Sequence, residues 1–198
     1  MPVSKAYQEK RTAILEKGMT LLWRKGFNAT SVKDIVDEAS IPKGSFYHYF
    51  NSKEDFVLKA LSYYYEMNVG PGLEILKEAS IPPRERLINY YRNRMEFMTE
   101  KMSCERGCMA GNLASEIAEH SEPLRLALLK QHQTLIQTIA SVIEEAQQKG
   151  SVSSEMNARD LAEFIEDASK GALTSMKELQ SAYPLENHFS MIQKLLFV

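Results

Sequence analysis

The chain has 198 residues, 44% hydrophobic and 25% charged, enough apolar side chains to close a core without disulfides or a structural metal. Two cysteines are too few for a disulfide framework, no apolar run approaches the ~20 residues of a membrane span, and the N-terminal residues lack the charged-then-apolar build of a signal peptide. The expected setting is a reducing cytoplasm with no membrane partner. The formal net charge of −2 conceals an asymmetry: residues 1–50 carry 8 Lys and Arg against 5 Asp and Glu, net +3, whereas residues 51–198 carry 16 against 21, net −5. Phosphate contacts need local positive charge rather than a basic whole, so a basic head on an acidic body suits a nucleic-acid reader.

The helical period recurs along the whole chain, and no stretch alternates as a half-buried strand would, so an all-α fold of about ten helices is expected. Over residues 6–25, Ala13, Ile14, Leu15, Met19, Leu21, Leu22 and Trp23 make a broad apolar stripe that stops at Gly26, a residue suited to a left-handed C-terminal cap. Thr30 and Ser31 precede Val32, Ile35, Val36 and Ala39, a short second helix with Ser31 as its cap. Ser40-Ile41-Pro42 breaks the pattern, because the residue before proline is pushed out of the helical region while proline itself suits a new first turn. Residues 43–50, KGSFYHYF, form a brief third helix, and Asn51-Ser52 caps a fourth over 53–68 with Glu54 and Asp55 at its positive end.

Gly70-Pro71-Gly72 reads as a break. Beyond it the pattern predicts a short helix to about residue 79, a longer one over 84–102, an irregular stretch at 103–108, and helices over 109–119, 123–148, 158–179 and 185–196. No repeat, low-complexity tract or flexible linker separates head from body, so helix four is expected to join them rigidly. The division expected is residues 1–52 for a three-helix head and 53–198 for a larger helical body.

A helix, a three-residue turn and a short second helix, supported by helix one, is the arrangement that lays a recognition helix in the major groove. Phe46 and Phe50, four apart, should point inward and leave Lys43, Ser45, Tyr47 and His48 outward. Gly44 allows close backbone approach, Ser45 can bond base edges, and Ser31, Tyr47, His48, Tyr49 and Lys53 are suitable phosphate partners.

The run TSVKDIVDEASIPKGSFYHYFNSK over residues 30–53 resembles the helix-turn-helix signature of the TetR family of bacterial regulators, through Thr30, Ile35, Ala39, Ile41, Lys43-Gly44, Phe46-Tyr47, Tyr49-Phe50 and Lys53, with Gly26-Phe27 closing helix one. The resemblance implies a homodimeric transcriptional repressor on palindromic double-stranded operator DNA, cytoplasmic and nucleoid-associated, released by a small-molecule effector and needing no cofactor. Gly107-Cys108-Met109, the following GNLASEIAEHSEPLR and Pro184-Leu185-Glu186-Asn187 resemble a subgroup that answers electrophiles or oxidants. That resemblance implies a sensing thiol at Cys108, assisted by Lys177.

The residues themselves leave the effector open. Cys108 stands where a helix begins, with Arg106 two residues before it and Cys104 as a possible resolving thiol; a small buried hydrophobe is the alternative. A reversible apolar ligand is the competing effector, lined by Tyr63, Tyr64, Tyr65, Tyr90, Tyr91, Met95, Phe97, Met98 and Met102, of which Tyr64, Tyr91, Met95 and Met98 are the leading candidates. The helices over 123–148 and 158–179 are expected to form a four-helix dimer interface, with Ala168, Gly171, Ala172 and Ser175 allowing close approach.

An enzyme would need other parts. The sequence has no phosphate loop, nucleophile elbow, HExxH or paired-cysteine zinc spacing, which leaves a helical thiol enzyme as a remote alternative. Glu116 and His120 share a helix face and read as a surface ion pair rather than a metal site, so no metal is expected.

Overall fold

The computed structural model describes residues 4–196. The chain is all-α: the regular elements among the described residues are α1 (Lys5–Lys25), α2 (Val32–Ala39), α3 (Lys43–Tyr49), α4 (Lys53–Tyr64), α5 (Gly70–Lys77), α6 (Pro83–Glu96), α7 (Met109–Ile117), α8 (Glu122–Gln148), α9 (Ala158–Leu179) and α10 (Tyr183–Leu196), with π-helical turns over Tyr65–Val69 and Phe97–Lys101. Among these residues no helix is long and apolar enough to cross a membrane.

Two compact units share the chain. The first comprises residues up to Met67 together with Met109–Leu129; the second comprises Asn68–Cys108 and the chain from Lys130 onward. In the first unit, local chemistry sets each boundary. Ser4 caps α1 by accepting from the Tyr7 amide at 3.3 Å, and α1 ends at Gly26, whose amide donates to the Leu22 carbonyl at 2.8 Å. Gly26 is not in the expected left-handed helical region: at φ 80, ψ 178 it occupies a region essentially reserved for glycine. Ser31 and Asp34 form a reciprocal capping box on α2. The helix ends at Ser40 in the left-handed region, where the Ile41 amide returns to the Val36 carbonyl at 3.0 Å. Pro42 is extended and opens α3, so the three-residue turn stands where the proline put it.

The core of this unit is aromatic and aliphatic. Phe46, Phe50 and Phe56 are at most 1% exposed, with ring centroids 4.9–5.8 Å apart, and Ile14, Leu21, Leu22, Ile35, Val57 and Leu61 are buried with them. Such contact among large side chains accounts for most of the free energy that holds so short a helix as α3 in place.

The expected break at Gly70-Pro71-Gly72 is absent. The backbone widens into the π-turn at Tyr65–Val69 and α5 begins at Gly70, with Pro71 in its first turn. A proline lacks the amide that a continuing helix needs and crowds the carbonyl four residues back; the wider turn accommodates both, and the first turn of a new helix needs no donor there. The second π-turn likewise carries α6 on to Lys101, until Ser103 and Cys104, at φ 51 and 59, end it. Elsewhere in the second unit Asn157 caps α9 by accepting from the Arg159 and Asp160 amides at 2.8 and 3.3 Å. Arg86 of α6 pairs with Glu145 of α8 and donates to the Leu76 carbonyl at 2.9 Å.

Candidate functional site

α3 presents two contrasting faces. Phe46 is fully buried, while Lys43, Gly44, Tyr47 and His48 are exposed and Ser45 is half-buried. Tyr47 keeps 55% of its surface in solvent, an exposure that no core role explains. A carbon added at Gly44 would meet nothing within 4 Å, so the backbone there is open to close approach. The far end of α3 is held from α1: the Tyr7 hydroxyl donates to the His48 carbonyl at 3.1 Å, and its ring lies 4.8 Å from that of Tyr49.

The remaining expected DNA contacts are placed differently. The Ser31 hydroxyl accepts from the Asp34 amide at 3.1 Å as the α2 cap. Hydrogen bonds from the Ser31 side chain and then its backbone hold the Asp34 pKa down at about 2. Lys53 turns inward: its ammonium donates to the Phe27 carbonyl at 2.6 Å and lies 3.9 Å over the Phe27 ring. Burial lowers its pKa, against the opposing pull of Glu116 and Asp34.

Glu116 departs from the surface ion pair expected of it. It does not pair with His120; its carboxylate accepts from the Asn28 amide at 3.0 Å, and a carbon added at Gly26 would fall 2.8 Å from its Cδ. Ser121, at the start of α8, bonds Glu54 in the first turn of α4 and caps its own helix by accepting from the Leu124 amide at 3.3 Å. The segment after Cys108 is therefore built into the first unit at two points. Among the described residues no group of three or more potential metal ligands occurs.

In the second unit the thiols Cys104 and Cys108 are both half-buried, and Cys108 directly precedes α7. The Lys177 side chain crosses Gly107: a carbon added there would lie 3.2 Å from Lys177 Cε and 3.5 Å from Nζ. The lysine thus lies against the residue next to Cys108. Tyr91 is 4% exposed and Met98 9%, with Met95 half-buried on the same helix. Tyr64 belongs to the first unit, where its ring meets Trp23 edge-on at 5.1 Å.

The expected dimer residues fall on one exposed stripe of α9. Phe164, Ala168, Gly171 and Leu179 are exposed, and Ala172 and Ser175 half-exposed. Phe164 and Leu179 keep 61% and 60% of their surface in solvent. The outward residues of the expected partner helix, α8, are polar over its later part, at Gln133, Thr134, Gln137, Ser141, Glu144 and Gln148, while Leu126 and Leu129 are exposed nearer its start. Exposed apolar groups appear also on α10, at Tyr183 and Met191.

Comparison with known proteins agrees with this construction. Residues 14–60 match the family described as bacterial regulatory proteins, tetR family, and residues 83–192 match the tetracyclin repressor-like C-terminal domain. The chain belongs to the TetR family. Among curated TetR-family relatives, the HTH-type transcriptional repressor DhaR of Mycobacterium sp. (strain GP1) is 30% identical over 182 residues, covering 92% of this chain and 89% of that one. The HTH-type transcriptional repressor NemR of Escherichia coli (strain K12) is 26% identical, covering 95% and 94%. Among solved structures, a regulatory protein TetR from Rhodobacter sphaeroides superposes with a TM-score of 0.87 at 29% identity, over 96% of this chain and 99% of that one. The reduced form of E. coli NemR gives 0.84 at 26%, over 95% and 98%. The chain is therefore a helix-turn-helix transcriptional regulator, and its relatives carry the names of repressors rather than enzymes.

Proposed function

We propose that this TetR-family chain is a repressor that binds a palindromic operator in double-stranded DNA as a homodimer and leaves it when the second unit meets an effector. The observation that carries this reading is the exposed face of α3. Lys43, Ser45, Tyr47 and His48 surround the open backbone of Gly44, on a helix anchored from behind by Phe46. Base edges are read by the few groups that enter the groove, while phosphate contacts position the helix. Ser31 and Tyr49 act at the rim, Ser31 at the N-terminus of α2 and Tyr49 against Tyr7, while Lys53 holds the loop before α2 through the Phe27 carbonyl.

In this reading DNA recognition belongs to residues 1–52 and effector binding and dimerisation to 53–198, even though 53–67 and 109–129 are compact with the head. The exposed α9 stripe supports dimerisation, with the exposed apolar residues of α8 and α10 as candidates for the rest of the interface. The protein acts in the bacterial cytoplasm, on the nucleoid.

Cys108 is proposed as the sensor. A quinone supports this chemistry: the thiolate sulfur bonds to the ring carbon, the π pair moves to the carbonyl oxygen, and that oxygen takes up the proton the thiol gave. Lys177, packed against Gly107 next to Cys108, is the proposed source of positive charge for the thiolate. Cys104 is the resolving thiol when the agent is an oxidant such as hypochlorite.

A band shift against the DNA upstream of the chain's own gene tests the reading. Specific binding should weaken about tenfold or more in Lys43→Ala and Tyr47→Ala, since a good base or phosphate contact is worth roughly 1–3 kcal/mol. A quinone should release the wild type and not Cys108→Ser. Unchanged affinity in both α3 variants would overturn the placement of the reading face, and full release of Cys108→Ser would overturn the thiol sensor.

A further inference from the structure

The second unit holds a largely buried ion pair between two of its helices. Glu166 of α9 is 2% exposed, and both its oxygens accept from Arg94 Nη1 of α6, at 2.7 and 2.9 Å. The same nitrogen donates to the Tyr90 hydroxyl at 3.0 Å, while Nη2 makes only a 3.4 Å bond to Ser169. A buried pair of this kind is weak evidence for stability, because apolar replacements of similar volume are often as stable or more so.

Next to it, the Tyr91 hydroxyl is buried without a well-formed hydrogen bond, close to a Glu166 carboxylate whose two oxygens are already held by Arg94. Burial, and then the Glu166 charge, push its pKa well above the ordinary phenol value, so it keeps its proton and stands as a donor. An orphaned buried donor is costly and calls for an acceptor. The cluster is not sealed: the Arg94 side chain is 32% exposed against 3% for Glu166, so solvent reaches part of the arginine.

Tyr91, Arg94, Met95 and Met98 stand at i, i+3, i+4 and i+7 along one stripe of α6 and the π-turn that continues it. The polar end of this stripe offers donors only, and its other end offers two thioethers. Charge then selects the ligand. Glu166 already neutralises Arg94, and burial holds His188 below the ordinary histidine pKa, so that ring is neutral. A carboxylate would bring an uncompensated charge, whereas a carbonyl oxygen would take the donors without one.

We propose that Tyr91 and Arg94 form the polar end of a reversible binding site for a small neutral carbonyl compound, whose apolar body lies along Met95 and Met98. This rests on reading the second unit as the effector unit, and gives that reading a ligand class. Glu166 and Ser169 belong to α9, which also carries the exposed apolar stripe, so occupation of the site acts on the helix proposed for dimerisation.

The full chain carrying Cys104→Ser and Cys108→Ser, which excludes covalent addition, is titrated calorimetrically with acetophenone and with benzoate. Acetophenone should bind and benzoate bind at least tenfold more weakly. Tyr91→Phe, in the same background, should weaken acetophenone about tenfold, the loss of one hydrogen bond to the ligand, with an unchanged or raised melting temperature because an orphaned hydroxyl is gone. Absence of acetophenone binding at millimolar concentration, preference for benzoate, equal affinity in Tyr91→Phe, or a lowered melting temperature in that variant would each overturn the proposal. Operator binding is followed in parallel: acetophenone that binds as described but leaves the operator complex intact would refute the effector reading and not the site.

Discussion

Replacing Gly26 by alanine should destabilise the first unit through two separable effects. At φ 80, ψ 178 an alanine is held in a region that costs about 1–3 kcal/mol for a non-glycine residue. Its Cβ would also fall within 2.9 Å of the Glu116 carboxylate and displace it. That forfeits the hydrogen bond to the Asn28 amide, worth about 1 kcal/mol for a charge-assisted bond at a partly solvated position. The sum is about 2–4 kcal/mol. In a Glu116→Ala background the bond and the collision are already gone, so Gly26→Ala should cost about 1 kcal/mol less there than in the wild type. Urea unfolding followed by the fluorescence of Trp23, the only tryptophan and buried in α1, measures both costs. Gly26→Ala within 0.5 kcal/mol of wild type (about, by the usual scatter of neutral changes), or an equal cost in the two backgrounds, would refute the Glu116 contact as a structural link.

Three further outcomes are expected. Glu166→Gln leaves Arg94 without its counter-charge and should cost about 2–4 kcal/mol, below the range for a fully buried pair because the guanidinium is partly exposed; thermal unfolding within 1 °C of wild type (roughly 0.3 kcal/mol at this size) would contradict it. Asp34, with its pKa held at about 2 against an ordinary 3.8, contributes stability that is complete above about pH 4 and is lost as the pH falls to about 2. Ser31→Ala removes the bond responsible and should flatten that part of an acid titration followed at Trp23, and superimposable titrations would rule the cap out as the cause. Phe164→Lys together with Leu179→Lys places two charges on the exposed α9 stripe and should shift sedimentation toward the monomer at micromolar concentration; an unchanged sedimentation profile would move the interface elsewhere.

The head was legible because its signals are local. Ser31 and Asp34 are three residues apart, Pro42 breaks one helix and suits the start of the next, and Phe46 and Phe50 share a helix face by spacing alone. The same local rules misread Gly70-Pro71-Gly72, because a proline that ends one helix also fits the first turn of the next, and a π-turn can join the two. On length and apolar content they pointed to α8 for the dimer surface and passed over the exposed apolar residues of α10. Length does not say which face is already covered, and the exposed Tyr183 and Met191 look in sequence like ordinary core.

The residues beyond reach of the sequence share one property: their partners are distant in the chain. Glu116 meets Asn28 across 88 residues and Arg94 meets Glu166 across 72. Each carboxylate lies on a helix where a charge reads as a solvated face, and periodicity has no means of marking the exception. Lys53 errs in the same direction, since a lysine after a basic recognition helix invites a phosphate although its ammonium can equally close a backbone carbonyl. Charges that turn toward the protein cost desolvation, which their partners offset. That is why Glu116, which holds the α1–α2 loop from the helix after Cys108, and Glu166, which holds Arg94, are the two positions at which removing a charge should cost stability that no local pattern forecasts.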